Sequence, residues 1–137
     1  MNILETDHWC LLLPPEWRAE YDQETVRIVD VDAVGEMDFS TLCKSDGQVD
    51  PTELLPLAKT ESPEVDAWEN TQIGAFAGVV GSFLEDGTFV REWYVSAGAV
   101  LLYITYCCDE VDAQMDRAAV DDILSTLVAG TEGSEPS

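Results

Sequence analysis

The sequence predicts an α+β fold: a single domain built on an antiparallel sheet of about six strands, flanked by helices. Two observations carry this. Residues 72–108 are rich in β-branched and aromatic residues and contain no proline, and two short turn signals interrupt them. Residues 109–129 then switch to a helical apolar period.

Glu85-Asp86-Gly87-Thr88 is a hairpin signal, because Asp-Gly supplies the positive φ angles of a type I′ turn. Ser96-Ala97-Gly98-Ala99 is a second turn with one glycine at its centre. Gln72–Leu84, Phe89–Ser96 and Ala99–Cys108 then form a three-stranded meander. Two-residue turns pair Leu84 with Phe89, Val80 with Trp93, Trp93 with Leu102, and Val95 with Val100. Strand alternation sorts the faces. Phe76, Val80, Leu84, Phe89, Trp93, Val95, Val100, Leu102, Ile104 and Tyr106 share a core face. Ala75, Ala77, Val79, Gly81, Glu92, Tyr94, Leu101 and Tyr103 share the other, which is apolar but shallower. A sheet with two apolar faces needs a cover on each, or a partner on one.

Upstream, Trp9–Leu13 is a short apolar strand closed by Pro14-Pro15, and Glu16-Trp17 is a turn with an aromatic anchor. Thr25–Val34 and Glu36–Lys44 are two further strands paired with each other, Met37, Phe39, Thr41 and Cys43 lying on one face of the second. Ser45-Asp46-Gly47 is a loop. Asp50-Pro51-Thr52-Glu53 reads as a helix start, with Asp as N-cap and Pro at the first position. Leu54, Leu55, Leu57 and Ala58 supply its apolar stripe, and Pro56 argues for a short helix. Glu61–Asn70 is a loop anchored by Val65 and Trp68. Downstream, Met115, Ala119, Ile123 and Leu127, flanked by Val120, Leu124 and Val128, predict an amphipathic helix of about four turns over 109–129. Asp109, Glu110 and Asp112 suit its N-terminus and Gly130 its stop. The domain is placed at 1–129 and a disordered polar tail at 130–137.

With 137 residues the chain suits one domain, and a hydrophobic content of 46% excludes global disorder. Twenty-eight acidic and six basic residues give a charge of −22. That excludes non-specific binding to nucleic acid or to an anionic membrane, and fits a basic partner or a salty environment. No stretch is long enough to span a membrane, and the opening residues lack the basic and apolar regions of a secretory signal. The four cysteines, Cys10, Cys43, Cys107 and Cys108, have no zinc or redox spacing. Reduced, buried thiols and a cytoplasmic location follow as expectations, with Cys107 and Cys108 on opposite faces of a strand.

Catalytic signatures are missing. His8 is the only histidine, and no nucleophile motif adjoins it. Gly74, Gly78 and Gly81 lie inside a strand, without the turn into a helix that phosphate binding needs, and mark places where something packs close to the backbone. Asp30-Val-Asp32-Ala-Val34-Gly35 starts like a calcium loop and fails at Val34 and Thr41. The pairs Asp30/Asp32 and Asp121/Asp122 are what an acidic chain produces by chance. Arg91 is expected to pair with an acid. We therefore expect no enzyme, no cofactor and no metal. The candidate site is a shallow partner-binding trough of Ala75, Ala77, Val79 and Gly81, with Tyr94, Leu101 and Tyr103 beside it. Either the helix near Leu54–Ala58 or an apolar helix of another protein fills it.

The order of elements adds a resemblance. L-P-P-E-W (Leu13 to Trp17), D-G…V-R-E-W-Y-V (Asp86 to Val95), L-L-Y-I-T-Y (Leu101 to Tyr106) and the closing I-L-S-T-L (Ile123 to Leu127) together resemble the PsbP-like fold superfamily, over roughly residues 9–128. That group includes the photosystem extrinsic protein, a Ran-binding nuclear-transport factor, and small bacterial chaperones for type VI secretion effectors. The bacterial branch is the nearest in size and order. The resemblance implies a non-catalytic protein-binding role, as an effector chaperone or adaptor working as a symmetric dimer. The alternative that the charge suggests is an acidic immunity or inhibitor protein that neutralises a basic toxin or nuclease.

Overall fold

The computed structural model describes residues 2–22, 25–32, 34–43 and 47–129. The expected 130–137 tail, the Gly130 stop, Lys44 and most of the Ser45–Gly47 loop lie outside them. The described residues form two antiparallel sheets and two short α-helices. The larger sheet has seven strands rather than about six. They are β3 (Trp17–Tyr21), β4 (Thr25–Asp30), β5 (Gly35–Cys43), β6 (Glu69–Ile73), β7 (Phe76–Glu85), β8 (Thr88–Ala97) and β9 (Val100–Asp109), in the spatial order β3-β4-β5-β9-β8-β7-β6. The smaller sheet sets β2 (Trp9–Leu13) between β1 (Asn2–Glu5) and β10 (Val128–Ala129).

One strand of the larger sheet, β6, is separate from β7 because of one glycine. Gln72–Leu84 is not a single strand, because Gly74 takes φ +61 and turns the chain between Ile73 and Phe76. Only a glycine fits there: a Cβ on it would run into the Leu127 carbonyl, and the next amide, Ala75 N–H, donates to that same carbonyl at 2.8 Å. The hairpin tip is thereby tied to the chain just after the last helix.

The Asp86-Gly87 turn has positive φ at both residues, as a type I′ turn requires. Leu84 pairs with Phe89 and Val80 with Trp93, as expected. The second turn differs. Its loop is Gly98-Ala99, with Gly98 at φ +57, so Trp93 pairs with Ile104 and Val95 with Leu102. The glycine takes the first loop position, where positive φ is needed. The offset from expectation is two residues, so every side chain keeps its face.

The inner face of the large sheet holds the main core. Ile28, Met37, Phe39, Trp93, Val95, Leu102, Ile104 and Tyr106 are buried there, and β2 closes over them with Trp9, Leu11 and Leu13. Trp9 stacks on Phe39 at 4.7 Å and its indole N–H donates to Thr41 Oγ1 at 2.9 Å, which fixes one sheet on the other. Leu84, expected in this core, is 57% exposed, because β7 runs out beyond the cover.

The closing helix is shorter than its apolar period suggests. β9 continues to Asp109, one 3-10 turn spans Glu110–Asp112, and α2 occupies Arg117–Ser125. Val111 and Met115 lie in solvent, and the buried stripe is Val120, Ile123 and Leu124, continued by Leu127. Beyond α2 the chain is extended: Val128 pairs with Cys10. β4 likewise ends at Asp30 and not Val34, because Asp30 Oδ1 accepts from the Asp32 amide at 3.0 Å and turns the chain. The would-be calcium loop is this turn. β1 and β3 were not expected, and Trp17 opens a strand instead of a turn.

Candidate functional site

The outer face of the large sheet carries the trough residues, and α1 (Leu54–Glu61) lies across part of it. Asp50 Oδ1 accepts from the Thr52 amide at 2.9 Å and its hydroxyl at 2.7 Å, starting a 3-10 turn over Pro51–Glu53 that leads into the helix. Pro56 falls in the first turn of α1, where its missing N–H has no intrahelical role. The helix seats Ala58 on Val79 and Tyr94, with Leu57, Trp68 and Tyr103 packed around them. Ser62 Oγ and Tyr94 OH share a 2.9 Å hydrogen bond at its end.

The expected trough is thus brought together, but α1 occupies much of it. Val79 and Tyr94 lie beneath the helix, and Gly81 lies beneath Val65 and Trp68. A Cβ on Gly81 would press on both, and one on Gly78 would meet the Tyr94 carbonyl, so these glycines do mark close approaches. Leu101 and Tyr103 are half-buried at the margin and Ala77 is exposed. Ala75 sits in the β6–β7 turn, because of the break at Gly74.

An open groove remains beside the helix. Leu42, Val49, Glu53, Leu54, Leu57 and Leu101 line it together with Cys43, around about 350 Å³. Leu42 is 64% exposed at the end of β5. Sequence reading recovered Leu101 and Leu57 but missed Leu42. The available signal was its parity: it lies opposite to Met37, Phe39 and Thr41, and it is apolar.

The electrostatics are concentrated two rows further along the sheet. Glu92 is buried, and its Oε2 accepts from Tyr103 OH at 2.6 Å. Burial, and next the hydrogen bond to Glu92, push the Tyr103 phenol far above its usual range; burial also raises Tyr94. Burial, then Glu36, Asp38 and Glu92, raise the Cys107 thiol. Arg27 lies between Asp38 at 3.2 Å and Glu36 at 3.3 Å, and its own value is raised by the hydrogen bond to Asp38.

The other candidates are dispersed. His8 lines a cleft of about 450 Å³ at the far end of the sheets with Glu5, Asp7, Asp22 and Cys43. Among the described residues no group of three or more His, Cys, Asp or Glu side chains is placed to hold a metal ion. Asp121 pairs with Arg91. All four cysteines are free; Cys108 is buried on the inner face and Cys107 half-buried on the outer, but Cys43 is exposed, because β5 ends beyond the core. No helix among the described residues is long and apolar enough to cross a membrane.

These features define a class: an α+β domain with a closed inner core and a half-covered outer face. No family model matches the chain, and no curated protein does. Solved structures do. A protein of Bacteroides thetaiotaomicron VPI-5482 superposes with a TM-score of 0.65 at 15% identity over 91% of this chain, which spans about half of that protein, 46%. LpqN, described as involved in cell envelope biogenesis of Mycobacterium tuberculosis, gives 0.61 at 18% identity, covering 89% of this chain and 83% of its own. The cyanobacterial PsbP of Synechocystis sp. PCC 6803 gives 0.50 at 14%, with 93% and 91% covered. The fold is PsbP-like. At these identities the likeness is one of fold alone, and it does not single out the secretion-chaperone branch.

Proposed function

We propose that the protein is a non-catalytic binding module that takes an amphipathic, cationic segment of another protein in the groove between α1, β5 and β9. The observation that carries this is Leu42, exposed at the lip of an apolar cleft floored by Leu54, Leu57 and Leu101. An apolar lip of this kind is where a partner's side chain gains most by leaving water. The partner's charge follows from the chain's −22, which raises the local concentration of cationic segments and repels anionic ones. Holding an apolar helix of a secretion effector, as chaperone or adaptor, is the use that suits the groove. The second reading, an acidic inhibitor of a basic toxin, draws its support from the charge alone.

Capture of partners on wild-type and Leu42→Asp protein, washed at low and then high salt, separates these. The groove reading expects a partner that survives high salt on wild type and is lost from Leu42→Asp. A partner that stays on Leu42→Asp and leaves with salt supports the inhibitor. Equal retention on both proteins at both salts overturns the groove.

A further inference from the structure

Glu92 is a carboxylate in the middle of the outer face, only 5% exposed. Its Oε2 is taken by Tyr103, but Oε1 is buried with no hydrogen-bond partner. A buried carboxylate oxygen without a donor carries the full penalty of its lost water. The ion pairs of Arg18, Arg27 and Arg91 go to Glu20, to Glu36 and Asp38, and to Asp121, so none of these three relieves it.

The sheet register sets what surrounds this group. Across β7 it faces Gly81, and the missing side chain there makes room for Trp68. Across β9 it faces Thr105. Tyr94 is its next same-face neighbour on β8, and Tyr103 lies diagonally on β9. The Trp68 and Tyr94 rings are 5.6 Å apart and the Tyr94 and Tyr103 rings 4.8 Å. Three aromatic rings therefore adjoin one under-used carboxylate. Aromatic faces attract cations, and a desolvated carboxylate gives a strong charge-assisted hydrogen bond, which together is the chemistry that recognises an ammonium group.

Access runs past Trp68. Residues 65–68 belong to no helix or strand, so the indole moves without breaking a ladder. Its own Nε1 is also buried without a partner, so an outward swing lets it regain a water. The groove adjoins: Leu101 and Tyr103 are same-face neighbours on β9, about 7 Å apart by strand rise, and Leu57 touches both regions.

We propose that Glu92, with Trp68, Tyr94 and Tyr103, forms a site for a primary ammonium group, supplied by a lysine side chain of the segment that fills the groove. Only the source of the ammonium rests on the groove reading; the site itself does not.

The test is titration of the full chain with n-butylammonium chloride, against n-butanol and sodium chloride, following the part of the tryptophan emission that Trp68→Phe removes. The expected result is a saturable change with butylammonium alone. In Glu92→Gln, which keeps the size and an acceptor for Tyr103, affinity falls about tenfold or more, the scale of one charge-assisted hydrogen bond. Leu42→Asp retains the full response while losing the partner, so failure of the groove and failure of the ammonium site are read separately. Absence of a saturable, charge-dependent response, or the same response in Glu92→Gln, overturns the site. Acetylating the partner's lysines weakens its capture by wild type more than its capture by Glu92→Gln, which keeps only the long-range attraction of the acidic chain; an equal loss in both, or undiminished capture by wild type, overturns a lysine at Glu92 as the source.

Discussion

The two faces of the large sheet are closed by different means. The inner face meets a second sheet and α2, and its central residues Ile28, Met37, Phe39, Leu102 and Ile104 are fully buried. Its polar contacts lie at the margins, as in Tyr106 to Asp116 and Trp9 to Thr41. The same strands, shifted by one residue, present Glu92, Tyr94, Tyr103, Thr105 and Cys107 to the outer face. There an eight-residue helix packs mainly on β7 and β8, reaches Tyr103 of β9, and leaves Leu42 at the end of β5 exposed. The difference teaches a division of labour: strand alternation lets one sheet store its stability on one side and keep incompletely paired polar groups on the other.

The largest effect that tests this division is a pair of tryptophan truncations. Trp93 is 1% exposed on the inner face. Trp93→Ala is expected to lose about 3–5 kcal/mol in denaturant unfolding, through lost transfer energy and the cavity left behind. Trp68, half-buried above Gly81, has less area to lose, and Trp68→Ala is expected to lose roughly 1–2 kcal/mol. Equal losses would make the outer face a second core and remove the division.

Alternation is also why so much of the sheet was legible in the sequence. Both faces of the meander were sorted correctly except at Leu84 and Ala75, and a two-residue error at the Gly98 turn left them intact. What sequence alone did not show was set by tertiary contacts. Gly74 looks like a weak strand residue until the Leu127 carbonyl stands beside it. Val128–Ala129 fits a helical period, and only pairing with β2 makes it a strand. The candidate site was half legible: Leu101, Tyr94 and Tyr103 followed from strand parity and Leu57 from the helical stripe, but that α1 stops short of Leu42 depends on how the helix is seated.

A margin of the inner face gives the next effect. Asp116 is buried, and its carboxyl is raised above the usual range by burial first, against the hydrogen bond from Tyr106 OH at 3.0 Å, with Asp30, Asp32 and Asp112 adding repulsion. A carboxyl raised in the folded state favours folding when protonated. Its contribution is complete below the ordinary carboxylate range and is lost as pH rises through the raised value. Asp116→Asn removes that titration and can still accept from Tyr106. The unfolding free energy of the variant should therefore fall less than that of wild type as pH rises through this window. Parallel profiles would mean that Asp116 is as well solvated as a surface acid, and that the inner face is open at this corner.

The smallest effect lies close by, across the β8–β9 pair from Tyr106, where Arg91 joins β8 to α2. Its guanidinium stacks on the Trp93 ring at 4.6 Å and its Nη1 donates to Asp121 Oδ1 at 2.9 Å. The arginine side chain is 14% exposed but the aspartate 49%, so the ion pair is largely in water while the stacked face is not. The stack should therefore outweigh the pair. Arg91→Ala is expected to lose about 1–1.5 kcal/mol and Asp121→Ala about 0.5 kcal/mol or less, with high salt removing the ion-pair part common to both and leaving most of the Arg91→Ala loss in place. Equal losses in the two variants, both erased by salt, would show that Trp93 gains nothing from the cation above it. In that case the inner face would be sealed by its apolar contacts alone, and the contrast with the cation-seeking outer face would be sharper still.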